Sequence, residues 1–310
     1  MDLMRNLLLA GSRSAWLQRQ ATRRKFVKLA VRRFMPGETV AEALAAAAKQ
    51  NKAGLMVTLT SLGENLSDKA EADGVLAHYL ETLKLMKVAN VQGEVSIKPT
   101  QLGLDIDADL CLRHTRTLAD AAREHGSRLW IDMEGSTYTD ATLKLYRDVR
   151  QTHDNLGVCL QSYLRRTRAD LESLIPLGPA IRIVKGAYAE PAAIAFPDKA
   201  EVDTNFLWMA QRLWRPDARI AKAWATLGTH DLDMIAQLES LAKKAGLTTD
   251  MYEYAMLYGI QRGEQLRLAK AGRQVRVLIS YGTHWFPWYM RRLAERPANL
   301  TFVLKSMFAK

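Results

Sequence analysis

Residues 274–300 read QVRVLISYGTHWFPWYMRRLAERPANL. VRVLIS, at 275–280, has the β-branched, apolar character of a buried strand. YGTH turns the chain, and Pro287 stands where the first turn of a helix accepts a proline. The helix that follows carries Arg291 and Arg292, with Glu295 four and three positions further on, on the same face as both. Two neighbouring guanidiniums beyond a strand–loop–helix unit can clamp a small carboxylate with paired hydrogen bonds. An isolated Arg-Arg pair is more often a solvated, salt-bridged helix face. The rest of the chain decides between the two.

Working outward, short apolar runs recur at 55–59, 95–97, 129–133, 157–160, 181–184, 220–225, 251–256 and 275–279. Between them lie segments of helical periodicity such as ADLCLRHTRTLADAAREHG and DLDMIAQLESLAKKAG. Eight strands alternating with helices over roughly 260 residues predict a (β/α)8 TIM-type barrel, an α/β fold. The competing doubly wound sheet lacks its usual mark, because no GxGxxG follows an early strand. A chain of 310 residues, 48% hydrophobic, suits one large domain with a small appendage. The expected division is a helical segment over 1–50 and a catalytic barrel over 51–310.

Barrel chemistry collects where strands end. Strand 2 delivers Lys98, strand 3 Asp132, Met133 and Glu134, and strand 4 Gln161. Strand 5 runs through Arg182 into Lys185 and Tyr188, strand 6 into Thr229, His230 and Asp231, and strand 8 into Tyr281 and the arginine pair. Any one of these polar residues alone would read as structural. Carried on successive strand ends, they must converge on one opening. Lys98, Arg182, Lys185, Arg291 and Arg292 outnumber Asp132 and Glu295, so that mouth is expected to be electropositive and to draw anions. The backbone at Lys185-Gly186-Ala187 suits a phosphate, since glycine admits a close amide. Gln161 offers a donor and an acceptor together. His230 has no second His or Cys at metal-ligand spacing and reads as a hydrogen-bonding residue. His284 reads as an exposed loop residue.

KPTQLG, IDME, LQSYL, RIVKGAY, GTHD and the YMRRLAE helix, in that order over roughly residues 54–305, resemble the proline dehydrogenase family. The resemblance implies FAD bound noncovalently over the strand ends. It also implies oxidation of L-proline to pyrroline-5-carboxylate, with electrons passed to a membrane quinone. By position it assigns Lys98, Arg291 and Arg292 to the substrate carboxylate, and Arg182 to the neighbourhood of the flavin N5. Asp132 would orient the site beside Lys98. Met133, Gln161, Lys185, Gly186, Ala187, Tyr188, Thr229 and His230 would contact FAD. The walls for the substrate ring depart from the family pattern: Leu278 and Trp288 stand where tyrosines are common, and Thr60 where an aspartate is common. With the clamp intact, the resemblance implies the reaction class, while hydroxyproline or a larger cyclic amino acid stays open beside proline; the alternative to an enzyme is a barrel without turnover that senses proline or membrane state through its basic arm.

The net charge of +11 is unevenly spread: nine basic residues against Asp2 alone leave the first 33 residues at +8. Residues 3–34 alternate basic and apolar positions, among them Leu7, Trp16, Phe26 and Phe34, at roughly helical spacing. One reading is a membrane-surface helix, and the other a helix that covers one end of the barrel. No motif for nucleic acid accompanies the charge. Pro36-Gly37 breaks this segment and Thr39 is placed to cap the Ala-rich helix after it. MDLMRNLLLAG has too short an apolar core for a secretory leader, and no apolar run is long enough to span a bilayer. Cys111 and Cys159 stand apart, without metal or disulfide spacing, and read as reduced thiols of a cytoplasmic protein.

Overall fold

The computed structural model describes residues 11, 14–23, 27, 30–63 and 66–295, apart from the side chains of 15, 18, 22, 23, 294 and 295. Eight parallel strands close into a barrel in sequence order, β1 pairing with β8. They are β1 Met56–Ser61, β2 Gly93–Ile97, β3 Leu129–Ile131, β4 Leu156–Gln161, β5 Ala180–Val184, β6 Trp224–Gly228, β7 Tyr252–Leu257 and β8 Gln274–Tyr281. The helices around and before them are α1 Ala15–Arg23, α2 Val40–Lys52, α3 Lys69–Val88, α4 Ala108–Glu124, α5 Thr139–Arg150, α6 Thr167–Leu174, α7 Lys199–Trp214, α8 Pro216–Ile220, α9 Leu232–Lys244, α10 Arg262–Lys270 and α11 Trp285–Glu295. The expected barrel is thus the observed one.

Strand 6 needs a correction. Its run was expected at 220–225, but Pro216 opens the short helix α8 and Lys222 takes a left-handed φ of 65°. The chain turns there before the strand begins, and Ile220 is left 82% exposed. Apolar character alone does not separate a turn residue from a strand residue.

Helix starts follow local chemistry. Asp68, Asp107, Asp198 and Asp231 each accept a backbone N–H at the start of α3, α4, α7 and α9, contacts that contribute about 1 kcal/mol apiece. Thr39 caps α2, as expected, and Glu42 completes a reciprocal capping box with it.

Strand side chains alternate between two surroundings. On β8, Val275, Val277 and Ile279 join the apolar core shared with the helices. Arg276, between them, faces the barrel interior, where its guanidinium meets Glu253 of β7 and Glu94 of β2. Glu253 is held below the ordinary carboxylate range, because the Arg276 guanidinium outweighs the upward push of burial. For Glu94 burial prevails, and it is pushed up. An ionic layer inside a barrel is costly to desolvate and gains from complete pairing.

The segment before the barrel is not a free arm over residues 31–38. Val31, Phe34 and Met35 pack with Leu62 against Trp285, Phe286, Trp288, Tyr289 and Leu293 of α11. Trp285 Nε1 donates to Glu38 Oε1 at 3.0 Å, and the Phe34 and Tyr289 rings lie 6.0 Å apart. Burying side chains of this size contributes about 1.5–3 kcal/mol each. The helix that carries the arginine pair is therefore braced by the N-terminal segment.

Candidate active site

The carboxyl ends of the strands assemble the residues that the sequence singles out. Asp132 follows β3, its N–H held by Ile97 O at 2.8 Å. Its carboxylate accepts from Ser96 Oγ and from Arg182 Nη1, both at 2.8 Å. Arg182 is 5% exposed, and its Nη2 is buried with no hydrogen-bond partner. A buried cationic donor left unsatisfied is costly, so Nη2 is a candidate to meet an acceptor that the chain does not supply. Cys159, in register with Arg182, is no nucleophile: burial pushes its thiol up to about 12.

Lys98 is buried at the end of β2 and opens a tight turn, Pro99–Leu102. Two contacts hold that turn still. Gln101 Nε2 donates to Ser61 O at 2.9 Å, and Thr100 Oγ1 donates to Glu134 Oε1 at 2.7 Å. The loops after β1, β2 and β3 are thereby tied together around Lys98.

Gln161, at the end of β4, donates through Nε2 to the carbonyls of Met133 and Glu134, while its Oε1 is buried without a partner. Gly186 has a φ of +114°, and a Cβ there would come within 2.3 Å of the Tyr163 ring. Strand ends that leave one buried acceptor, Gln161 Oε1, and one buried cationic donor, Arg182 Nη2, without partners fit a cofactor rich in both hydrogen-bonding types, as FAD is, and Gly186 lets the loop after β5 run close against Tyr163. Gly186→Ala must move the loop or the ring, at about 1–3 kcal/mol of strain. The expected result is a lower Tm and less flavin in the purified protein, read from the ratio of visible to ultraviolet absorbance. Full flavin content with an unchanged Tm would count against a role for this loop in holding the cofactor.

Thr229 is buried and its Oγ1 accepts from the Asp231 N–H. His230 Nε2 accepts the Leu257 N–H at 2.7 Å, which leaves the ring proton on Nδ1 and ties the end of β6 to β7. Met133 is buried, and Ala187 and Tyr188 are half-buried in the loop after β5. His284 is exposed, as expected. The guanidinium carbon of Arg291 lies 5.6 Å from the Tyr188 ring, so α11 reaches from the end of β8 to the loop after β5. Arg292 lies 6.0 Å from the Trp288 ring on its own helix. Leu278 is half-buried on the inward face of β8, in register with Thr58, and Thr60 stands opposite Ser280. The side chain of Glu295 lies outside the described residues, so its expected grip on the arginines does too.

One expectation is corrected. Lys185 does not lend the mouth a free positive charge, because its Nζ lies 2.5 Å from Asp203 and 3.0 Å from Asp231. Lys199 joins the same two carboxylates, so the cluster is neutral. Burial alone would raise Asp231, but Lys185 and Lys199 outweigh it and hold the carboxyl down at about 2. Helices α7 and α9 bring these aspartates in; the i,i+4 spacing of Lys199 and Asp203 was their one local signal. Ser96 also escaped the sequence reading, although it stands two residues before Lys98 on the same strand face.

The proline dehydrogenase family model matches residues 43–305. Proline dehydrogenase 1 of Bacillus subtilis is 36% identical over 300 residues, covering 95% of this chain and 98% of the relative. Proline dehydrogenase of Deinococcus radiodurans is 36% identical, with 93% of each chain covered. Among solved structures, proline utilization A from Bdellovibrio bacteriovorus superposes on 89% of this chain with a TM-score of 0.81 at 22% identity, a likeness of fold. This chain spans about a third of that longer protein, 34% of its length. With most of its length matched by the family model and near-complete relatives above 30% identity, the chain belongs to the proline dehydrogenase family.

Proposed function

We propose that this chain is an FAD-dependent proline dehydrogenase that oxidises L-proline to pyrroline-5-carboxylate in proline catabolism. The observation that carries the reading is Arg182: a buried guanidinium anchored through Nη1 on Asp132 and Ser96, with Nη2 unclaimed. FAD, when bound, supplies the acceptor for the hydride that leaves the ring carbon beside the amine nitrogen. Gln161, Met133, Lys185, Gly186, Ala187, Tyr188, Thr229 and His230 are the residues proposed to hold it. In this scheme the Lys185 ammonium, already paired with Asp203 and Asp231, braces the loop after β5, and the backbone amides of Gly186 and Ala187 would hold the phosphates.

Lys98, Arg291 and Arg292 are proposed to grip the substrate carboxylate, with Glu295 steadying the two arginines from three and four residues away. Leu278 and Trp288 wall the ring. The carboxylate grip leaves the ammonium free to give one proton to water before the site closes; the lone pair so freed forms the C=N bond as the hydride leaves, and the remaining N–H proton passes to water when the imine is released. Arg182 places positive charge where negative charge develops, and Asp132 keeps that guanidinium in position. The braced helix α11 and the loop after β5 exclude water from the reacting carbon.

The onward acceptor is proposed to be a quinone, reached by peripheral contact with an anionic membrane. What supports this is the +8 charge of the first 33 residues together with Trp16 and Leu17 on α1, which are 61% and 38% exposed. No helix among the described residues is long and apolar enough to cross a membrane.

The test is anaerobic mixing of FAD-loaded protein with L-proline, hydroxyproline and pipecolate in turn, following the visible flavin absorbance. Bleaching fastest with proline, and reoxidation on adding quinone-bearing anionic vesicles, is the expected result. Protein that stays yellow with all three amino acids overturns the assignment.

A further inference from the structure

Asp132 and Ser96 both engage Nη1 of Arg182, a single nitrogen. These contacts hold one corner of the planar group in its own plane; what lies on the face of the guanidinium decides whether it can tilt out of that position. Trp130 lies beside it. This indole is fully buried on β3, two residues before Asp132 and on the same inward face of the strand. The guanidinium carbon of Arg182 lies 4.4 Å from the centre of its ring.

The ring is itself locked. Its Nε1–H donates to Glu94 Oε2 at 2.5 Å. Glu94 lies 3.3 Å from Arg276, whose guanidinium also holds Glu253. Residue 157, in register with Trp130 on β4, is a glycine, and a Cβ there would come within 2.5 Å of the ring. Arg128 approaches the ring as well, its guanidinium carbon 5.5 Å from the centre. A continuous set of contacts therefore runs from the ionic layer of the barrel interior, through one indole, to the arginine at the mouth.

We infer that Trp130 is a positioning residue for the reaction: its π face backs the Arg182 guanidinium and keeps it from tilting, so that Nη2 is presented to the flavin. The inference rests on the proposed reading that Arg182 serves the flavin. Glu94 and Gly157 serve the same end by fixing the indole. Trp130 touches neither substrate nor flavin in this scheme and acts only through Arg182.

The experiment compares Trp130→Leu, Trp130→Phe and Arg182→Gln in the full chain loaded with FAD. The readouts are flavin midpoint potential, flavin stoichiometry, and kcat and KM for proline. Trp130→Leu is expected to lower kcat about 10-fold, the scale of one desolvated cation–π contact, with KM for proline unchanged. Its midpoint potential should move negative, because a misaligned cation stabilises the reduced flavin less. Trp130→Phe keeps a π face and should restore most of both. If Trp130→Leu does not fold, Trp130→Met replaces it, since methionine fills the volume without offering a π face. A potential and kcat at wild-type values in the aliphatic variant overturn the inference, as does equal impairment of the Phe and Leu variants, which marks simple core filling. A potential that moves in Arg182→Gln and not in Trp130→Leu sinks this inference alone. A potential that moves in neither sinks the reading of Arg182 itself.

Discussion

Arg182→Gln is expected to lower kcat for proline by roughly 10²–10³-fold, the loss typical of removing one preorganised donor from a developing charge. KM should change far less, because the proposed carboxylate grip resides elsewhere, on Lys98, Arg291 and Arg292. Two effects compete in this variant. Arg182 is 5% exposed and paired with Asp132, so removing it also leaves a carboxylate without its counter-charge. Asp132, with its side chain 19% exposed, retains access to water and to Ser96, so the stability loss should fall below the 3–5 kcal/mol of a fully buried broken pair. Stopped-flow reduction at saturating proline measures the first effect and thermal unfolding the second. Wild-type reduction rates in a folded, flavin-replete variant would remove Arg182 from the chemistry.

The second large effect concerns α11. Charge-neutral replacement of both arginines, Arg291→Met with Arg292→Met, removes two charge-assisted contacts worth about 1.5–3 kcal/mol each. The sum corresponds to a loss of roughly 10²–10⁴-fold in kcat/KM for proline, appearing mainly in KM. Lys98 remains in the double variant, so binding should weaken rather than vanish. Pyrrolidine, which has the amine and lacks the carboxylate, makes a sharp comparison: the double variant should turn it over as the unaltered protein does. Methionine retains the apolar stem, so α11 should keep its packing on Phe34 and Met35. Unchanged kcat/KM for proline in this variant would refute the clamp. Equal losses with proline and pyrrolidine would show that α11 had shifted rather than lost its charges.

The barrel was legible because eight apolar runs with helical segments between them have few other ways to bury themselves. The closed sheet, β1 paired with β8, follows that count. Strand 6 was misplaced because Ile220 and Ala221 look like strand residues, while the proline-started helix and the left-handed Lys222 that precede the true strand are backbone features. The mouth was legible one residue at a time, since a strand end is a local property. Asp132 and Arg182 each stand at a strand end in the sequence, and the fold adds the 2.8 Å contact between them. Lys185 was read as a free cation because Asp203 and Asp231, 18 and 46 residues further on, reach it only when α7 and α9 pack. Nothing local to Trp130 marks it; its ring meets an arginine 52 residues away because β3, β4 and β5 pair side by side with Gly157 between them.

The amino-acid order by itself determined which faces are apolar, where helices start, which polar residues stand at strand ends and which family the motifs resemble. All of these depend on neighbours within a few residues, and the periods of helix and strand carry that information. The tertiary structure alone decided the partners: Arg182 on Trp130, Lys185 between two aspartates, Arg291 beside Tyr188, and the N-terminal segment against α11. Periodicity states which way a side chain faces. What it meets there depends on closing a ring of strands whose ends, β1 and β8, are more than 200 residues apart, and that closure is a property of the whole chain.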